Sequence, residues 1–364
     1  MNRRYFLFGG GGVVLAGAGA AAVGLSQAGA MAAYNTAVAS ARAGLSAEWR
    51  IEDCLRFATL AANGHNTQPW RFHIGEDRVE IQPDLTRRTP VVDPDDHHLF
   101  VSLGCAAENL SLAAGARGRT GELQFNPAGD GGVALVFGSA PAADPALVDA
   151  IPRRQSTRAE YDGSAVTAGE LRTLAAAAVV PGVDLVLVTE RAAMNRLGDL
   201  VIAGNTAQMA DAAFVRELKT WLRFNPRDAL ATGDGLFSAA SGSPALPGWL
   251  GRRAFDLVFR AAAENDKYAR QLRTSAGLAV FVTERADKEH WVRAGRACQR
   301  FALQATALGL KHAFVNQPVE VSGLRPELAA LVGTPGRRPD IVMRFGRGAA
   351  LPYAPRRPVA AVLA

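Results

Sequence analysis

Lysine is almost missing from this chain. Of 40 basic residues only Lys219, Lys267, Lys288 and Lys311 are lysines, so arginine carries the net charge of +6. The arginines are scattered along the chain and do not gather into the basic face that a nucleic-acid binder needs, so no nucleic-acid partner is expected. Cysteine is scarce too. Cys54, Cys105 and Cys298 form no CxxC pair, which excludes a zinc module and a disulfide framework. Cys54 and Cys298 fall inside helical patterns and read as small buried apolar side chains. No GxSxG elbow, HExxH pair or P-loop occurs, so the common signatures of serine hydrolases, zinc peptidases and P-loop NTPases are lacking.

Charge is absent altogether between Arg4 and Arg42. The segment Arg3-Arg4-Tyr5-Phe6-Leu7 resembles a twin-arginine export motif, a Gly/Ala-rich apolar run follows it, and Ala28-Gly29-Ala30 fits a small-residue cleavage site. Residues 1–30 are therefore expected to be a signal for the twin-arginine export machinery, leaving the protein periplasmic. The run is also long enough to tether the protein if left uncleaved. Gly17-Ala18-Gly19 is no dinucleotide fingerprint, because no strand precedes it and no suitable acid follows. Twin-arginine substrates cross the membrane folded, often with a cofactor bound, so a tightly held organic cofactor is expected.

Residues that are present in quantity are apolar. They make up 49% of 364 residues, enough for one large core or two modest ones. The chain also repeats itself. Val101, Gly104, Ala106, Leu112, Ala114, Ala116 and Gly118 recur 191 positions later as Val292, Gly295, Ala297, Leu303, Ala305, Ala307 and Gly309. Each set reads as a buried helix ending at glycine. Leu55-Arg56-Phe57-Ala58 has a counterpart in Leu171-Arg172-Thr173-Leu174, and the strand Val133–Gly138 resembles Ile341–Gly346. Two related halves are expected, 31–150 and 151–364, joined near Pro141–Pro152.

Two segments carry chemistry. Asn63-Gly64-His65-Asn66-Thr67-Gln68-Pro69-Trp70 follows a helical pattern and precedes an alternating one, which puts it on a helix-to-strand loop. Gly64 permits close backbone approach, and Asn66 and Gln68 each carry a donor and an acceptor. The loop could line a flat polar ligand, or it could be a turn anchored by its Trp. In the second half, Arg154, Ser156 and Arg158 could converge on one anion with their guanidinium forks and hydroxyl. Arg356 and Arg357 could add charge if the chain end returns. The alternative is a solvated basic linker.

Together these two motifs resemble those of the nitroreductase superfamily. Arg154-x-Ser156-x-Arg158, followed by an aromatic and Asp162, is similar to its phosphate motif, and Asn63–Trp70 is similar to its Gln-Pro-Trp loop. The loop stands only in the first half and the phosphate motif only in the second, as in the duplicated single-chain branch of Acg-like FMN-binding proteins. The resemblance implies an α+β fold, mainly antiparallel sheets flanked by helices, internally duplicated as a fused pseudo-dimer. It implies FMN as cofactor, with Arg154, Ser156 and Arg158 on the phosphate, helped by Arg356 or Arg357. Asn63, Gly64, His65, Asn66 and Gln68 would cover the ring and ribityl chain, and Asn316 and Gln317 would approach the flavin N5 edge. Asn63-Gly64-His65 departs from the family's serine pair and removes two hydroxyls.

The turn-rich stretch 224–247 is expected to act as a lid, with Trp221 and Trp249 beside it read as core packing. Asp93-Pro94-Asp95-Asp96-His97-His98 reads as an acidic helix start and not a metal site, since adjacent imidazoles point apart. The expected function is an FMN oxidoreductase passing hydride or electrons through flavin N5 to a nitroaromatic, quinone or related acceptor, with NAD(P)H or another donor. No acid–base side chain is assigned to catalysis. The alternative is a non-enzymatic FMN-sequestering protein, and a weaker third is flavin destruction or reductive dehalogenation.

Overall fold

The computed structural model describes residues 28–364, so residues 1–27 of the expected export signal lie outside the described residues. Helix α1 (Met31–Ala41) leads into α2 (Ile51–Thr59), which buries Cys54, Leu55, Phe57 and Ala58 and exposes Glu52. Acids in its first turn and Arg56 in its last complement the helix dipole. The hairpin β1 (Trp70–Ile74) and β2 (Arg78–Pro83) follows, then α3 (His97–Gly115), β3 (Gly121–Asn126), β4 (Gly132–Phe137) and the short α4 (Pro145–Ala150).

The second half opens on α5 (Ala168–Ala177), started by a Thr167–Glu170 capping box, and β5 (Val183–Val188). A large insertion comes next: α6 (Arg191–Ala210), α7 (Ala212–Trp221), β6 (Leu222–Arg223), α8 (Pro226–Thr232), β7 (Leu236–Phe237), α9 (Gly248–Val258) and α10 (Ala261–Arg273). The frame resumes with β8 (Gly277–Thr283), α11 (Lys288–Ala307) and β9 (Lys311–Phe314). A second insertion holds α12 (Gln317–Glu320) and α13 (Arg325–Leu331), and β10 (Pro339–Gly346) completes the sheet.

Both four-stranded sheets have one topology. Their orders are β1-β2-β4-β3 and β5-β8-β10-β9, every pairing in them is antiparallel, and a long helix joins the second strand to the third in each. Those helices, α3 and α11, cross at the centre of one continuous apolar core fed by both sheets.

Glycine sets how closely they cross. A Cβ on Gly104 would stand 2.0 Å from the carbonyl oxygen of Val292, and one on Gly295 would stand 2.0 Å from that of Val101. These four residues are two of the pairs related by 191 positions, so the contact is reciprocal. Beside it, Glu108 of α3 accepts from Arg296 (3.0 Å) and Arg300 (2.7 Å), and Gln299 donates to Asn109 (2.8 Å). The apolar pattern made the helices, and the small residues let them meet.

The chain end also crosses between the halves. Residues beyond β10 run back to β1, where Phe72 exchanges backbone hydrogen bonds with Val362 (2.8 Å) and Ala364 (3.1 Å). Among the described residues no helix is long and apolar enough to cross a membrane.

Candidate active site between the halves

The Asn63–Trp70 loop leaves α2 in a conformation few side chains adopt. His65, Asn66 and Gln68 have φ of 47°, 55° and 53°, the left-handed region that disfavours L residues. Its own hydrogen bonds hold it there. Asn63 Oδ1 accepts from the Gln68 amide (2.9 Å), the Thr67 amide donates to Gly64 (2.9 Å), and Gln299 of α11 accepts from Ala62 at the loop's entry (3.2 Å).

Two amides expected on the cofactor are spent on this restraint. Asn66 donates to Gly235 (3.0 Å) and Pro355 (3.1 Å) and accepts from Arg356 (2.7 Å). Gln68, fully buried, donates to Gly233 (2.8 Å) and accepts from the Arg357 amide (2.9 Å). The Gln68 side chain therefore locks the loop to the lid and the C-terminal arm and does not line the cavity, which corrects the expectation for that residue. Asn66 borders the site with little capacity left to bind anything else.

Four arginines meet beneath the loop. Arg42, Arg154, Arg158 and Arg356 line a small pocket of about 50 Å³, together with Ser156, and no acid lines it. Among the described residues none of the four makes an ion pair. Arg356 donates to the carbonyls of Thr59 (2.7 Å), Leu60 and Ala61 at the end of α2, and Arg154 donates to Leu60 (2.9 Å). Those carbonyls form the negative end of the helix dipole. Arg154 is 2% exposed, yet among the described residues its Nε and Nη1 have no partner. Burial, then the neighbouring guanidinium of Arg154, lowers Arg42 to about 9; burial lowers Arg154 to about 10. Arg356 is pushed well down by burial, then by Arg42 and Arg154.

Buried like charges with unspent donors fit an anion. Arg42, on the turn after α1, was invisible in sequence, since nothing in its neighbourhood marks it. Arg357 behaves differently from its neighbour. Its guanidinium donates to Ala361 and lies 3.9 Å from Asp84, outside both cavities, so of the two candidates only Arg356 lines the pocket.

The small pocket adjoins a larger cavity of about 560 Å³, with Ala62, Asn63, Arg158, Leu236 and Ser241 common to both. Gly64, His65, Asn316 and Gln317 line the larger one. Burial, then Arg158, lowers His65 to about 4, so its imidazole is neutral at ordinary pH. Asn316 is tied to the β10 backbone through Val342 (2.9 Å), whereas Gln317 Oε1 is buried without a partner. Asp93 accepts from the His98 and Leu99 amides (3.0 Å each), starting α3 as the acidic run implied. Contrary to the expectation that adjacent imidazoles point apart, the two rings touch, with centroids 4.7 Å apart, but their partners differ. His97 pairs with Asp340 (3.0 Å) in the core and His98 lines the cavity. Among the described residues no cluster of His, Cys, Asp or Glu is placed to hold a metal.

The cover is more ordered and longer than the expected turn-rich lid at 224–247. Asn225 caps α8 through the Asp228 amide (2.9 Å), Pro226 opens it and Gly233 ends it with φ of 64°. Those start and stop signals were legible but were read as turns. Cavity-lining residues of this insertion run from Asn205 in α6 to Tyr268 in α10. Asp234 of this segment pairs with both Arg223 (2.6 Å) and Arg87 of the first half. Neither flanking Trp packs in the core as expected. Trp249 is 52% exposed, and half-buried Trp221 lies under the Arg87 guanidinium, 5.5 Å from its ring.

Residues 151–347 match the model of the nitroreductase family. Rv3131 of Mycobacterium tuberculosis (strain H37Rv), named provisionally as an NAD(P)H nitroreductase, is 28% identical over 86% of this chain and 90% of its own length. The acg protein of the same strain, provisionally named likewise, is 24% identical over 85% and 93%. Among solved structures, a nitroreductase with bound FMN from Desulfitobacterium hafniense is 15% identical, with a TM-score of 0.36 over 59% of this chain and 95% of that one. The FMN-dependent NfnB of Mycobacterium smegmatis, in complex with NADPH, is 13% identical, with a TM-score of 0.37 over 56% and 87%. Structural overlap that low carries no weight beside the sequence match. The family model spans more than half of the chain, which therefore belongs to the nitroreductase family.

Proposed function

We propose that this protein is an FMN-dependent oxidoreductase whose single composite site is assembled from two halves descended from a fused pair. One observation carries the reading: a cluster of four arginines, Arg154 buried and the others half-buried, without an acid and with two unspent Arg154 donors, opens into a cavity of ligand size. Arg42, Arg154, Arg158, Arg356 and Ser156 would hold the phosphate. Asn63, Gly64, His65, Asn316 and Gln317 would border the ring. Bound flavin would supply hydride or one-electron transfer to a nitroaromatic, quinone or related acceptor, with NAD(P)H or another reductant as donor. The chain's own residues would hold the cofactor and orient it, and the Asp234 ion pairs would tie the covering segment to the first half.

The second reading is a flavin-holding protein without turnover, and those ion pairs favour it. One experiment separates the two. The purified protein is expected to carry a flavin spectrum that dithionite bleaches. Bleaching by NADPH, restored by a nitroaromatic or quinone, supports the enzyme; bleaching by dithionite alone supports the store. A flavin-free protein that does not take up FMN would sink both. Replacing Arg154 and Arg158 together with Ala is expected to cost at least a hundred-fold in FMN affinity, roughly two charge-assisted hydrogen bonds. Unchanged FMN content would refute the phosphate site. We also propose export by the twin-arginine route, tested by whether Arg3→Lys with Arg4→Lys keeps the protein in the cytoplasm.

A further inference from the structure

We propose that Glu320 and His98 form a proton-donating pair on the cavity wall, supplying the proton that accompanies each two-electron reduction of the acceptor. This rests on the flavin reading above. The two residues come from opposite halves: His98 from the start of α3, Glu320 from the end of α12 in the insertion between β9 and β10. Both line the larger cavity. Gln208 of α6 donates to Glu320 Oε2 (2.6 Å), which fixes the carboxyl group and leaves Oε1 facing His98 Nε2 at 3.6 Å. The other ring nitrogen of His98 is buried and has no hydrogen-bond partner among the described residues.

Such an arrangement is costly as mere scaffolding. Pro318 and Val319 are already buried, and Arg325 donates to the Val319 carbonyl (2.6 Å), so α12 is anchored without Glu320. Burial, opposed by the Gln208 hydrogen bond and aided by the charge of Asp93, raises Glu320 to about 7. Burial, then His97 and Arg338, pushes His98 well below the ordinary imidazole range, with Asp95 opposing and His65 reinforcing. Tyr268 of α10 faces the same carboxyl group. At neutral pH the pair thus holds an acid near its midpoint beside a neutral base, the condition that suits proton transfer.

The step balances with a dihydroflavin as reductant and a quinone as oxidant. The quinone accepts hydride and becomes an oxyanion. The Glu320 O–H bond breaks as a new O–H forms on that oxygen, and the carboxylate regains its proton from solvent while His98 holds it in place.

The test has two readouts on the full-length protein. The first is carbon-13 NMR of glutamate-labelled protein across pH, which needs no turnover. The Glu320 carboxyl group is expected to titrate near neutrality, and His98→Asn is expected to move that titration. The second is anaerobic mixing of protein, stoichiometrically reduced with dithionite, with 1,4-benzoquinone while flavin reoxidation is followed. Wild-type rates should fall above about pH 7, and Glu320→Gln should lower the rate about a hundred-fold below that pH and remove the break. Glu320→Asp should restore the break. A carboxyl titrating in the ordinary range, or Glu320→Gln with full flavin content and a wild-type pH profile, overturns the pair while leaving the flavin reading intact. A flavin-free wild type overturns the flavin reading first, on its spectrum alone.

Discussion

The two halves share a frame and differ in what interrupts it. In the first, residues 75–77 join β1 to β2 and residues 127–131 join β3 to β4. In the second, the same two junctions hold residues 189–276 and 315–338. Those insertions supply the cover, Gln208, Asn316, Gln317 and Glu320, while the unadorned half supplies the strained loop, Arg42 and His98. A shared sheet-and-helix frame gives rigidity to both halves but makes a site only where one half's additions close over the other's loop. Function sits in what was grafted onto the frame.

The largest expected effect breaks the symmetry of the frame itself. Gly104→Val and Gly295→Val each drive a side chain into a partner backbone with no flexible neighbour to yield, and each should cost about 3 kcal/mol or more. Urea unfolding should give similar losses for both, because the contact is reciprocal; a loss in only one would make the resemblance of the halves superficial. Next is the polar tie across the crossing. Glu108→Ala leaves Arg296 and Arg300 without their shared carboxylate, whose side chain is 4% exposed, and should cost about 1–3 kcal/mol in the same measurement. No loss would mean the halves are joined by apolar packing alone.

The smallest effect probes the asymmetry. Glu320 sits in an insertion the first half lacks, and burial raises it from its ordinary value to about 7. A group raised by folding binds its proton more tightly in the native state. Its stabilisation is therefore full below the unfolded value and is lost as pH rises toward 7. Glu320→Gln should gain stability over wild type as pH rises from about 5 to about 8, as thermal melts across pH would reveal. A pH-independent difference would mean that Glu320 is not buried as described.

How legible the site was varies by residue. Arg154, Ser156 and Arg158 were readable because they lie within five residues of one another, and local spacing is what sequence displays best. Asn63 and Gly64 were readable as a polar loop after an amphipathic helix. Gln68 stood in the same loop, but its role was misassigned, because its partners Gly233 and Arg357 are more than 160 positions away. Arg42 had no local signal at all. The helix α8 had its Asn-Pro start and Gly stop in plain view, yet the abundance of Gly, Ser and Pro around it pointed to turns.

The sequence alone displays the 191-position repeat. Apolar and small-residue periodicity is a local property, and the 191-position spacing already paired Gly104 with Gly295 and Val101 with Val292. It also determined the chemistry available, an arginine-rich, lysine-poor chain with one amide loop and one anion motif. Only the tertiary structure decided which groups share a volume. Four arginines drawn from residues 42, 154, 158 and 356 line one small pocket, where burial strips their water and brings their like charges together, and no periodicity encodes that meeting. The same folding placed His98 3.6 Å from Glu320, a meeting that no local pattern around either residue displays.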